Sequence, residues 1–235
     1  SGAFKLAEGS CYVVNTPINK PDLCAPGYVS IYSLEEAGGT SFAAPHVTGT
    51  IVQMIARNSA FANQPQKIKA ALLASATRNC GTSMSYIGKE ISNQEGAGVL
   101  DADFCYRVAR AGRAAQFDVT SSLTSSNPIK QQVYCDYVTK PFRIACTWEV
   151  AATKPFSSIK ISDYDMKVYK NGVQVASSTI SVGPDNIKGT NCEIIELSPG
   201  ELSKYGSGYY EVRIFPYGSF HGTGIVRIGL AWEQD

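Results

Sequence analysis

The sequence predicts an α/β segment over residues 1–115 followed by an all-β sandwich, jelly-roll-like, over residues 116–235. Three observations carry this division. Val47, Ile51, Met54 and Ile55 recur at helical spacing after Ser41. Beyond Ala114 to Phe117 the texture changes to strand after strand, separated by Ser-, Asn-, Gly- and Pro-rich breaks. Within that second region Asn171-Gly172, the strongest short hairpin signal, sits between two β-patterned runs. With 44% of its 235 residues apolar, the chain can bury a substantial core.

In order along the chain, Tyr12-Val13-Val14 and the run around Leu23-Cys24-Ala25 read as short strands. A first helix is expected from Ser41 to about Asn58-Ser59. A second runs from Pro65, suited to a first turn, to about Thr77, with Ile68, Leu72 and Leu73 on one side, and is expected to pack on the first. Gly96-Ala97-Gly98-Val99-Leu100-Asp101-Ala102 leads into a third helix ending near Arg110, with Gly112 as its stop. Lys130 to Trp148 supplies two strands broken at Lys140-Pro141. Tyr164, Met166 and Val168, then Tyr210, Val212 and Ile214, then Val226, Ile228, Leu230 and Trp232 alternate with polar or small residues, so each strand offers one apolar face to a shared core.

Composition excludes several classes of function. A net charge of +1, without charge blocks, argues against nucleic acid or an anionic membrane as the main partner. No run of eighteen apolar residues is present, so no membrane span is expected. The chain starts at Ser1 and carries no basic-then-apolar leader, the expectation for a processed or truncated product. Seven cysteines without a C-x-x-C pair argue against zinc or thioredoxin-type chemistry and for disulfides. Cys135 with Cys146, Cys11 with Cys24 and Cys80 with Cys105 are candidate pairs, with connectivity open and one thiol left over.

The chemistry concentrates at Gly38-Gly39-Thr40-Ser41-Phe42-Ala43-Ala44-Pro45-His46-Val47-Thr48-Gly49. A catalytic serine needs exposure, a base and donors for the oxyanion that forms. Two glycines let a substrate approach the backbone, and helix N-terminal amides present partial positive charge beside Ser41. A bare Gly-Thr-Ser is usually an ordinary N-cap, but the twelve residues together resemble the nucleophile motif of subtilisin-like serine proteases, the subtilase family. Lys20-Pro21-Asp22-Leu23-Cys24-Ala25-Pro26-Gly27 resembles that family's strand and Ala-Pro-Gly turn, and Gly96-Ala97-Gly98-Val99-Leu100-Asp101-Ala102 its G-x-G segment.

The resemblance covers residues 1 to about 113. It implies the C-terminal portion of a subtilisin-like doubly wound parallel-sheet domain, with Ser41 as the nucleophile that attacks a peptide carbonyl and its own N–H contributing to the oxyanion hole. It also implies a triad in the chain order Asp, His, Ser. The forty residues before Ser41 contain no His, and their only Asp, Asp22, lies in the Pro-Asp-x-x-Ala-Pro-Gly segment, so the triad Asp and His are expected upstream of this sequence. Asn15 is expected to be a loop residue rather than an oxyanion donor. Secretion, and a protein or peptide substrate, follow as expectations. The closing half resembles β-sandwich modules appended after subtilase catalytic domains, through Asp163 to Gly172 and the Gly229-Leu230-Ala231-Trp232-Glu233 strand.

The remaining candidates read as structural. His46, five residues after Ser41 on one helix, points roughly 140° away from it. His221 is expected on a surface loop, Arg107, Arg110 and Arg113 on a solvated helix end, and Trp148 and Trp232 in the core. Asp163 with Asp165, and Asp185, Asn186, Asn191 and Glu193, are oxygen-rich groups compatible with a structural Ca²⁺; the chemistry itself requires no cofactor. Two functional readings follow: a serine endopeptidase for which this chain supplies the nucleophile segment, or a non-catalytic fragment or pseudoprotease whose sandwich is a binding or stabilising module.

Overall fold

The apolar spacing expected to start a helix at Ser41 produces α1 (Thr40–Arg57). Helix α2 (Pro65–Ser75) carries its proline in the first turn. Helix α3 (Ala102–Ala111) is capped by the Asp101 side chain, which accepts from the Phe104 amide at 3.0 Å, and stops at Gly112 in the left-handed conformation. The structure, a computed structural model, describes residues 21–29, 37–77, 95–150, 162–179, 191–218, 220 and 224–234. Tyr12-Val13-Val14, Asn15, His221, Asp185 and Asn186 lie outside the described residues.

The doubly wound parallel sheet expected before residue 115 is not formed by the described residues. Strands β1 (Tyr28–Val29) and β2 (Ala37–Gly38) make a two-residue antiparallel ribbon. The run expected as a strand around Cys24 is a single parallel bridge to Val99, whose other side bridges Thr77 antiparallel. Pro21 and Pro26 flank that run and lack ladder donors, which limits how far the pairing extends.

The second half is the expected sandwich. One antiparallel sheet has the order β3 (Ala114–Val119), β10 (Val226–Gln234), β5 (Phe142–Trp148), β8 (Cys192–Leu197). The other runs β4 (Ile129–Cys135), β9 (Gly208–Tyr217), β6 (Asp163–Lys170), β7 (Val173–Ser178). The alternating residues Tyr164, Met166, Val168, Tyr210, Val212, Ile214, Ile228 and Leu230 meet Trp148 and Ile195 between the sheets. Asn171 and Gly172 take positive φ (51° and 82°) in the β6–β7 turn, as a two-residue hairpin requires.

Every residue of β5 is buried, because the first sheet is covered on both faces. Helix α2 lies on β5 and β10, not on α1 as its pattern suggested; α1 packs on α3 instead. The cause is the size of the facing residues. Ala70, Ala71 and Ala74 of α2 meet Ala145 and Ala231 of the sheet, joined by Met54, Phe61, Leu73 and Val108 in a second core. Gly229 lets the Gln66 backbone touch the sheet where no Cβ would fit, and Thr147 Oγ1 donates to the Gln66 carbonyl at 2.9 Å. Each large side chain buried here is worth roughly 1.5–3 kcal/mol.

Three further expectations change. The five described cysteines form no disulfide with one another, and Cys105, Cys135 and Cys146 are free thiols. Cys135 and Cys146 stand on different sheets rather than neighbouring strands, and burial pushes the Cys105 thiol up to about 12. Arg107 and Arg113 are not a wet face, since both turn toward buried Glu233 on β10. A fourth helix, α4 (Pro199–Tyr205), begins with a complete capping box between Ser198 and Glu201.

Candidate active site

Ser41 is the second residue of α1 and is exposed. The residue before the helix, Gly39, takes φ 153° and ψ 165°, a combination that favours glycine. Its carbonyl accepts from the Phe42 amide at 3.0 Å, so the first turn is tightened directly around Ser41. Pro45 sits beyond that first turn, inside the helix, and so removes the donor that would have bonded the Ser41 carbonyl. His46 is exposed, and its Nδ1 donates to the Phe42 carbonyl of its own helix at 2.9 Å. That bond directs the ring along α1.

The three motif segments meet in space. Cys24 N donates to Gly98 O at 2.8 Å, Leu100 N to Cys24 O at 2.7 Å, and Ala97 N to Asp22 O at 2.8 Å. Gly96 lies against the Asp22 carbonyl, where a side chain would collide. Gly39 N then donates to Gly27 O at 2.8 Å, tying the Ala-Pro-Gly turn to the residue before α1. Asp22 is engaged by Lys69 Nζ at 2.8 Å, consistent with a structural rather than a proton-transferring role. What the arrangement supplies is an exposed hydroxyl in the first turn of an eighteen-residue helix, on a rigid main-chain frame. Neither a histidine nor a triad carboxylate joins it among the described residues.

Of the oxygen-rich residues, Asp163, Asp165, Asn191 and Glu193 are among those described. Asn191 Nδ2 donates to Trp148 O at 2.8 Å and its Oδ1 accepts from Lys69 at 3.0 Å. Glu193 is buried in the sandwich and accepts from Ser178 Oγ. Among the described residues no three His, Cys, Asp or Glu side chains cluster as a metal site. Sequence reasoning missed a cleft of about 280 Å³ at one end of the sandwich, lined by Thr120, Thr124, Asp163, Tyr164, Tyr217 and Phe220 among others. Burial there raises the Tyr164 phenol to about 12. The cleft joins the β3–β4 turn to the ends of β6 and β9, a juxtaposition that no single stretch of sequence signals.

The three segments tied together at the entrance to α1 also carry a family likeness. Residues 5–98 match the model of the subtilase family. The match spans about two fifths of the chain, includes all three segments except Val99 to Ala102, and supports subtilase membership for that part. No curated protein matches the chain. Among solved structures, it is similar to PliG of Aeromonas hydrophila, a periplasmic inhibitor of g-type lysozyme, at 13% identity over 52% of this chain and 87% of that one, with a TM-score of 0.27. It is also similar to a carbohydrate-binding module, CBM36, solved with calcium and xylotriose, at 13% identity over 52% and 98%, TM-score 0.26. A third is CorA, a surface-associated copper-binding protein of Methylomicrobium album BG8, at 12% identity over 54% and 95%, TM-score 0.29. No helix among the described residues is long and apolar enough to cross a membrane.

Proposed function

We propose that this chain supplies the nucleophile segment of a secreted subtilisin-like serine endopeptidase. Ser41 attacks the peptide carbonyl, forming an acyl-enzyme that water hydrolyses, and the amides of the first turn of α1 stabilise the oxyanion. The Asp and His of the triad come from sequence outside these 235 residues, since in the order Asp, His, Ser both precede the serine and no histidine precedes Ser41 here. The observation that carries this reading is that residues 22–27, 39 and 96–100 are tied together by main-chain hydrogen bonds two residues before an exposed serine, almost wholly within the segment that matches the subtilase model. Alone, the chain is expected to be inactive, because among the described residues no base joins the hydroxyl. A structural Ca²⁺ is no part of this chemistry.

The test is labelling by a fluorophosphonate with and without a polypeptide carrying the upstream Asp and His. Labelling that appears only in the mixture and disappears in Ser41→Ala supports the assignment. No labelling in the mixture, with both parts folded, refutes it. That second result would favour the other reading, in which the sandwich is a binding module, for which the cleft between β3–β4, β6 and β9 is the supporting feature.

A further inference from the structure

We propose that Arg143 of the sandwich is a positioning residue for the nucleophile segment; the inference rests on the reading of Ser41 given above. Arg143 lies on the face of β5 turned to the helices and is 7% exposed. Its Nε and Nη2 pair with one carboxylate oxygen of Glu196, directly across on β8, at 3.1 and 3.0 Å. Its Nη1 donates to two main-chain carbonyls of the other half, Ala76 at the end of α2 and Ala97 in the Gly96-Ala97-Gly98 segment, the latter at 3.4 Å.

Those two carbonyls sit where the converged segments are tied together. Ala97 N holds Asp22 O, Gly98 O and Leu100 N hold Cys24, and Thr77, next to Ala76, exchanges two main-chain bonds with Val99. From the same strip, Gly27 O holds the Gly39 amide at the entrance to α1. Arg143 therefore stands at one end of a path of hydrogen bonds, joined through the main chain of residues 22–27, whose other end is two residues from Ser41. Lys69 makes a second tether, bonding Asp22 at 2.8 Å and Asn191 of the sandwich at 3.0 Å. The side-chain chemistry matters: a planar guanidinium serves a carboxylate and two carbonyls in different directions, which a lysine ammonium on a flexible stem does not reproduce. The sandwich thereby acts as a clamp on the frame that presents the nucleophile, whatever else it binds.

The test is residue-resolved hydrogen exchange on the full chain in wild type, Arg143→Met, Arg143→Lys and Val212→Ala. Val212→Ala truncates the sandwich core in the far sheet and serves as a stability control. In Arg143→Met, exchange at the Cys24, Ala97 and Gly39 amides should rise about tenfold or more beyond the change at β6 and β9 amides, with Arg143→Lys intermediate. Equal acceleration of those three amides by Val212→Ala at matched overall stability, or wild-type rates in Arg143→Met, overturns the proposal. Should the Met variant not fold, the Lys variant decides: a selective increase at the same amides supports the clamp, and wild-type rates overturn it. Fluorophosphonate labelling in the presence of the upstream partner separates the two readings. Selective exchange with no labelling of the wild type leaves the clamp standing and removes the nucleophile; labelling slowed in Arg143→Met supports both.

Discussion

Glu233 offers the sharpest quantitative test of the joint between helices and sandwich. Its carboxylate is 3% exposed on the helix-facing side of β10, with Arg113 Nη1 at 3.6 Å and Arg107 Nη1 at 3.9 Å. Arg113 is shared with Asp136, at 2.6 Å. Burial raises the Glu233 carboxyl from its ordinary 4.5 to about 7, and the two arginines oppose that without cancelling it. A folded value above the unfolded one means the native state holds the proton more tightly. The resulting stabilisation is complete below pH 4.5, shrinks as pH rises and is gone above about pH 7. A gap of that size corresponds to about 3 kcal/mol. Glu233→Gln keeps the shape and removes the titration, so between pH 5 and pH 8 the wild type should lose about 2.5 kcal/mol relative to the variant. Urea unfolding of both proteins at both pH values gives this as a double difference that cancels every other titrating group. Parallel losses, or a wild type that gains on the variant at pH 8, would show that the arginines hold the carboxylate ionised and that desolvation does not dominate at this joint.

Two further outcomes follow from the contact of α2 with the first sheet. Gly229→Ala places a methyl group inside van der Waals contact of the Gln66 carbonyl, and backbone cannot swing aside as a side chain can. The variant should lose about 1–3 kcal/mol in chemical denaturation, with exchange rising first along α2; wild-type stability would mean that α2 lies further from the sheet. Residues 1–113 expressed alone should show no cooperative thermal transition, because α2 then exposes Ala70, Ala71, Leu73 and Ala74 to water. Cooperative unfolding of that fragment would refute the claim that its core depends on the sandwich.

What could be read from the sequence was what depends on neighbours along the chain. The spacing from Val47 to Ile55 places α1 to within a residue or two, Gly112 stops α3, and Asn171-Gly172 makes the β6–β7 turn. The alternation Tyr164, Met166, Val168 gives the buried face of β6. The capping box at Ser198-Pro199-Gly200-Glu201 was equally legible, but in a strand-rich region a seven-residue helix is easily passed over. Partners distant in sequence were not legible. Arg107 and Arg113 resemble a solvated helix end until Glu233, more than a hundred residues on, is placed beneath them. The Cys135–Cys146 pair failed for the same reason, since spacing along the chain does not reveal that the two belong to different sheets.

The same distinction separates what makes Ser41 recognisable from what holds it. A Gly-Thr-Ser at a helix start is recognisable from twelve consecutive residues, yet the frame that fixes Gly39 runs through residues 22–27 and 96–100 to a guanidinium on β5. Texture divides the chain near residue 115, but the packing joins the two halves across that point. Ala145, Ile194 and Ala231 share one core with Met54, Phe61 and Leu73. A stability change in the first sheet should therefore reach the serine frame sooner than an equal change in the second sheet, whose buried residues belong to the core on the other face of the first sheet. Sensitivity ordered by sheet, rather than by distance along the chain from Ser41, is the physical consequence of laying a helix of small residues on a strand that is buried on both faces.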